Sequence, residues 1–200
     1  MRVAVTGNIG SGKSTFARLL EERGARLVDA DALSRRVVDE SAPLKRQLAD
    51  AFGEDLLDEE GGHLDRRGLA RRALVDGPSR RRLEGIVRPH LQPVIAAELA
   101  AAELASSVVV LDAPLVFEWG IEDWFARVFV ISADADSAVA RVAASRDMSV
   151  DEVRQRHRAQ FSDARRPGAF EVVDNNGSLD DLRSMADKIW NDLTADAGAG

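Results

Sequence analysis

The chain has 200 residues, 45% of them hydrophobic, enough for one domain with a sizeable core. Acidic residues outnumber basic ones 34 to 27, and the net charge of −7 argues against a general nucleic-acid or membrane-surface binder. Cysteine is absent, which excludes disulfides, a thiolate nucleophile and cysteine-bound zinc and accords with a reducing cytoplasm. The N-terminus does not read as a secretory signal, because Gly7 and Lys13 interrupt its apolar run. The most apolar stretch, 94–105, carries Glu98 and Glu103 and is too short to span a bilayer.

Val3-Ala4-Val5 reads as a short buried strand. Gly7-Asn8-Ile9-Gly10-Ser11-Gly12-Lys13-Ser14-Thr15 follows it and spells G-x-x-x-x-G-K-S, the P-loop pattern. A helix then runs from Phe16 to Arg23 and stops at Gly24. The glycines let the backbone approach phosphate oxygens, and the N–H groups opening the helix point at the anion. Lys13 is expected to reach the β- and γ-phosphates and the Ser14 hydroxyl to sit on Mg²⁺. A glycine-rich turn can match by chance, but strand, loop and helix in register favour nucleoside triphosphate binding.

Arg26-Leu27-Val28 is a second strand, ending in Asp29-Ala30-Asp31. Ligands of open α/β sheets bind beyond the carboxyl ends of the strands, so one of these aspartates is placed for chemistry while the other caps the next helix. Position favours Asp31 for the chemistry. From Ala32 to about Ser106 the pattern is helical: Leu44, Leu48 and Phe52 form one apolar face, and Gly53 ends it. Residues 59–62 read as a turn and Asp65 as the N-cap of a helix over 66–75. Gly77-Pro78 is expected to break the chain, Leu83, Ile86 and Val87 to share a face up to Pro89, and a separate alanine-rich helix to run over 91–105. So long a connection predicts an inserted helical subdomain. Most of its arginines (Arg66, Arg67, Arg71, Arg72, Arg80, Arg81, Arg82 and Arg88) are expected at the surface or paired with acids, with a few left for an anionic substrate.

Val108 to Leu111 is an all-apolar central strand ending in Asp112, where a P-loop protein holds Mg²⁺, often through water. Glu118, shortly after it, reads equally as a second carboxylate or as exposed surface. A fourth strand spans 127–131 and a helix 135–146; Ser149-Val150-Asp151-Glu152 is a capping box opening a helix through Gln160. Arg141, Arg146, Arg154, Arg156, Arg158, Arg165 and Arg166 make this pair either a basic flap that closes over phosphates or an ordinary charged hairpin. A fifth strand spans 170–173, Asp174-Asn175-Asn176-Gly177 is a tight turn, a closing helix spans 179–193, and the tail 194–200 is expected to fray. His63, His90 and His157 lack metal-ligand spacing.

With the P-loop, Asp29-Ala30-Asp31, Phe52-Gly53, Leu64-Asp65-Arg66, Pro114-Leu115-Val116-Phe117-Glu118, Ala159-Gln160 and Asp174-Asn175-Asn176-Gly177 in this order, the chain resembles the dephospho-CoA kinase family from Met1 to about Leu193. The resemblance implies an α/β P-loop NTPase fold with a five-stranded parallel sheet, its core over about 1–31, 107–133 and 169–193. It also implies a helical CoA-binding insertion over about 32–106 and a lid over about 134–168. The implied reaction is ATP- and Mg²⁺-dependent phosphorylation of the ribose 3′-hydroxyl of dephospho-CoA, giving CoA in the cytoplasm. Carried across, ATP lies on Gly10, Ser11, Gly12, Lys13, Ser14 and Thr15, the metal on Ser14 and Asp112, Asp31 near the acceptor hydroxyl, and Arg141 in the place of the lid arginine. The chain departs from the family at Asn8, where glycine is usual, and at Arg88-Pro89, where His-Pro is usual. It is also one residue shorter near Ala169-Phe170. Another small-molecule kinase fits the sheet and P-loop equally, but the D-A-D and P-L-x-F-E blocks favour this family. A GTPase would want an N-K-x-D element, and the sequence has none.

Overall fold

Five runs rich in Val, Ile and Leu become the strands of one sheet: β1 (Arg2–Gly7), β2 (Arg26–Asp29), β3 (Val109–Asp112), β4 (Arg127–Ser132) and β5 (Glu171–Asp174). The computed structural model describes residues 1–58, 60, 62–145 and 170–198. The strand order is β2-β3-β1-β4-β5, and every pairing is parallel. The helices are α1 (Lys13–Glu22), α2 (Ala30–Glu40), α3 (Ala42–Phe52), α4 (Arg66–Ala73), α5 (Gly77–Glu103), α6 (Ala135–Ser145) and α7 (Leu179–Gly198). Two compact units result, one of Met1–Asp29 with Leu99–Gly200, the other Ala30–Glu98.

In the first unit, side chains alternate across each strand, so Val3, Val5, Phe129 and Ile131 share one face. Phe16, Leu19 and Leu20 of α1 and Leu182, Ala186 and Leu193 of α7 cover that face. The Phe16 and Phe129 rings lie 6.2 Å apart, tilted. Burial of each such side chain stabilises by about 1.5–3 kcal/mol. β1 lies between β3 and β4, so the connections leaving β1 and β3 run to opposite sides of the sheet, the switch in strand order beside which open α/β sheets bind ligands.

The second unit has its own core of Val38, Leu44, Leu48, Leu56, Leu64, Leu69 and Ala73, with Phe52, Leu83, Ile86 and Val87 packed on it. The Ser41 hydroxyl caps α3 by accepting from the Leu44 N–H at 3.2 Å. Asp65 caps α4 as expected, accepting from the Gly68 N–H at 2.9 Å. Among the described residues five arginines of this unit pair with acids: Arg36 with Glu98 (2.6 Å), Arg66 with Asp39 (2.6 Å), Arg72 with Asp55 (2.6 Å), Arg80 with Glu84 (3.5 Å) and Arg71 with Asp65 (3.8 Å). Arg82 lies 5.6 Å over the Phe52 ring.

Two sequence expectations are corrected here. The chain does break at 74–76, between α4 and α5, with Gly77-Pro78 opening the second helix, but α5 is one helix of 27 residues that runs through Pro89 and Pro93. A proline has no N–H to give the carbonyl four residues back, so the carbonyls of Gly85 and Pro89 lose their helical donors. Gly85, Pro89 and Pro93 all lie on the exposed face, where water can serve those carbonyls, while Leu91, Ile95 and Leu99 are buried opposite. The tail also continues α7 to Gly198 instead of fraying at Thr194. The Thr194 hydroxyl bonds the Trp190 and Asn191 carbonyls, Asp196 pairs with Arg127, and Ala197 packs on the core.

Candidate active site

β1 runs out at Gly7 and α1 begins at Lys13, so Asn8 to Gly12 must turn the chain within five residues. Gly10 and Gly12 do this with φ of 74° and 91°, values that L side chains resist. The Ser11 N–H donates to the Asn8 carbonyl at 3.1 Å and closes the loop. Gly12 stands at the N-cap of α1 with no side-chain hydrogen bond, and no acidic residue occupies the first turn. The N–H groups of a first helical turn have no intrahelical partner. Together with the helix dipole they make a site for an anion. Lys13 and Ser14 open this turn half-buried, and Thr15 is exposed.

The loop is held from outside by two elements distant in sequence. α6 brings the Ala138 carbonyl against the Gly10 Cα, and Ile9 packs on Val139 and Val142. The turn after β5 brings Asn175, which is 5% exposed, against Gly12. Its Nδ2 donates to the Ser11 carbonyl at 2.8 Å, and its backbone N–H donates to the Ser132 carbonyl at 2.8 Å. Arg141 of α6 is half-buried, and its Nη2 donates to the Asn175 carbonyl at 2.6 Å. The start of α6 is tied to the same turn: the Asp134 N–H donates to Asn176 Oδ1 at 2.8 Å. Asp134 accepts from the Ser137 N–H at 2.7 Å and from its hydroxyl at 2.9 Å, which holds its carboxyl below the usual carboxylate range.

Asp112 ends β3, 8% exposed and level with Val5 of β1. Asp29 ends β2 in register with Asp112, so both carboxylates leave the carboxyl edge on the same face. The hydroxyl and carboxylate oxygens of Ser14 and Asp112 are hard donors of the kind that would suit Mg²⁺. Asp31 opens α2 in the second unit and is exposed, whereas Asp29 immediately precedes that helix. Glu118 is exposed. Arg146, Arg154, Arg156, Arg158, Arg165 and Arg166, His157, the capping box at Ser149 and the Ala159-Gln160 block lie outside the described residues. The structure thus gathers Gly10 to Thr15, Asp112 and Arg141 in the first unit, and it adds Asn175. The sequence marked Asn175 as a turn residue and as part of one block carrying the family resemblance, but gave it no role at the site.

A parallel sheet with this loop between its first strand and helix defines a P-loop kinase fold. The crystal structure of TT1252 from Thermus thermophilus superposes with a TM-score of 0.76 at 35% identity, over 96% of this chain and 97% of that one. A dephospho-CoA kinase from Campylobacter jejuni shares the fold, with a TM-score of 0.59 at 20% identity and 96% of each chain covered. In sequence, a dephospho-CoA kinase of Corynebacterium efficiens is 38% identical over 191 residues, 94% of this chain and 95% of that protein. The family model "CoaE: Dephospho-CoA kinase" matches residues 1–181, and the chain belongs to that family.

Proposed function

We propose that the chain transfers the γ-phosphoryl group of ATP to the ribose 3′-hydroxyl of dephospho-CoA, giving CoA and ADP. The observation that carries this reading is the first turn of α1, capped by a left-handed glycine, free of acids and opened by Lys13 and Ser14. Family membership supplies the acceptor. The absence of cysteine accords with work in the cytoplasm.

Phosphoryl transfer passes through a loose transition state, so the protein's work is positioning and charge stabilisation. The loop N–H groups and Lys13 hold the β- and γ-phosphates. Arg141 stabilises the charge that develops on the transferred group. Ser14 and Asp112 would hold Mg²⁺, which when bound neutralises phosphate charge. Asp31 orients the acceptor hydroxyl and takes its proton late in the transfer, because a carboxylate is too weak a base to remove it beforehand.

The test is purified protein with ATP, Mg²⁺ and a panel of acceptors: dephospho-CoA, nucleoside monophosphates and small polyols. ADP release and product mass are scored. Dephospho-CoA is expected to lead the panel in kcat/KM by about a hundredfold or more, the discrimination a polar site can supply. ADP formation that is equal across the panel, or absent with dephospho-CoA, would refute the proposal.

A further inference from the structure

We propose that Asn175 is a positioning residue for ATP, acting through the shape of the phosphate loop and without touching the nucleotide. The inference rests on the reading of Gly10 to Thr15 as a triphosphate site. Peptide groups are planar and trans, so the carbonyl of one residue and the N–H of the next point in opposite directions. Asn175 Nδ2 holds the Ser11 carbonyl at 2.8 Å. That bond turns the Gly12 N–H away from Asn175, to the other side of the loop. Free of this bond, the Ser11–Gly12 peptide could rotate, because a glycine follows it.

Asn175 is itself fixed on both sides. Its N–H is bonded to Ser132 at the end of β4, and its carbonyl accepts from Arg141. Its side chain is buried against the Gly12 Cα, where a Cβ would collide with Nδ2. The amide therefore transmits the rigidity of the β4–β5 edge to a loop 164 residues away in sequence. Truncating the side chain removes the Nδ2 arm alone, because the contacts to Ser132 and Arg141 use the backbone of Asn175.

Asn175→Ala and Asn175→Asp test this in the full-length protein. Binding of inorganic tripolyphosphate is measured by calorimetry, and KM for ATP and for dephospho-CoA by steady-state kinetics. Asn175→Ala is expected to weaken tripolyphosphate and raise KM for ATP by the same factor, about tenfold for one buried hydrogen bond, with KM for the acceptor within about twofold. Asn175→Asp keeps the shape but sets a carboxylate against the Ser11 carbonyl, and it is expected to lose more. It carries the same test if Asn175→Ala does not fold. A rise in KM for ATP with tripolyphosphate binding unchanged would place Asn175 on the base and overturn the inference. Equal shifts for ATP and acceptor, or no shift at all, would overturn it as well. Failure of the unsubstituted protein to bind tripolyphosphate would instead remove the triphosphate-site reading, and the inference with it.

Discussion

Gly10 and Gly120 offer a matched pair for measuring how tightly α6 closes on the phosphate loop. Both have left-handed backbones, with φ of 74° and 63°. A Cβ on Gly120 meets nothing within 4 Å. A Cβ on Gly10 would overlap the Ala138 carbonyl oxygen and lie 2.9 Å from both the Ala138 carbonyl carbon and Val142 Cγ2. The Ala138 atoms are helix backbone, so α6 or the loop must move. Alanine at either position costs about 1–2 kcal/mol for the left-handed conformation. At Gly10 overpacking adds about 1–3 kcal/mol. Gly10→Ala is thus expected to destabilise by about 2–5 kcal/mol and Gly120→Ala by about 1–2 kcal/mol. Urea denaturation of both variants measures the difference. Tripolyphosphate binding is expected to fall by about tenfold or more in Gly10→Ala and to stay within about twofold in Gly120→Ala, since 1.4 kcal/mol corresponds to a factor of ten. Equal destabilisation of the two variants, with phosphate binding intact in both, would refute the close packing of α6 on the loop.

Lys13→Ala is expected to lower kcat/KM by at least about a hundredfold, as loss of a transition-state charge contact does, with the urea midpoint unchanged. Stopped ADP-release assays check it, and unchanged kinetics would remove Lys13 from the mechanism. Asp31→Asn is expected to keep ATP affinity and lose most turnover; near-normal turnover would leave Asp31 as a helix residue only. Stability is expected to fall in acid. Asp39 and Asp55 are held below the usual carboxylate range by hydrogen bonds from Arg66 and Arg72, Asp65 by the Gly68 N–H, and Glu103 and Glu171 by hydrogen bonds from Arg2 and Arg127. Depressed folded-state values mean that these contributions are fully present at neutral pH and are lost as pH falls through them. The urea midpoint should therefore be level above about pH 5 and decline below about pH 4. A midpoint that holds to pH values well below that would show these pairs to be without effect on stability.

The loop and the strands were legible because their information is local. The spacing from Gly7 to Ser14 fixes a strand-to-helix turn, and Val109 to Asp112 is buried at every position, as an unbroken apolar run predicts. The cap at Asp65 needed only its neighbours. Pro89 and Pro93 were misleading, because a proline reads as a stop unless one knows that its orphaned carbonyls face water. The tail was misjudged for a related reason: what holds 194–198 is Arg127 and a core packed from elsewhere. Asn175 and Ala138 shape the phosphate loop from positions far along the chain, where a turn and a helix pattern describe them completely without hinting at their neighbours.

The two rims of the sheet are built from different materials. Where the strands begin, Arg2 is bound to Glu103 at 2.7 Å, Arg127 to Glu171 at 2.6 Å, and the Met1 ammonium to the Ser107 carbonyl at 2.7 Å. Where β1 and β3 end, and just past the end of β5, the chain offers glycine, aspartate and asparagine. On the proposed reading, ion pairs gather at one pole of the scaffold and the phosphate site at the other. Substitutions at Arg2, Arg127 or Glu171 are therefore expected to change acid tolerance before they change turnover.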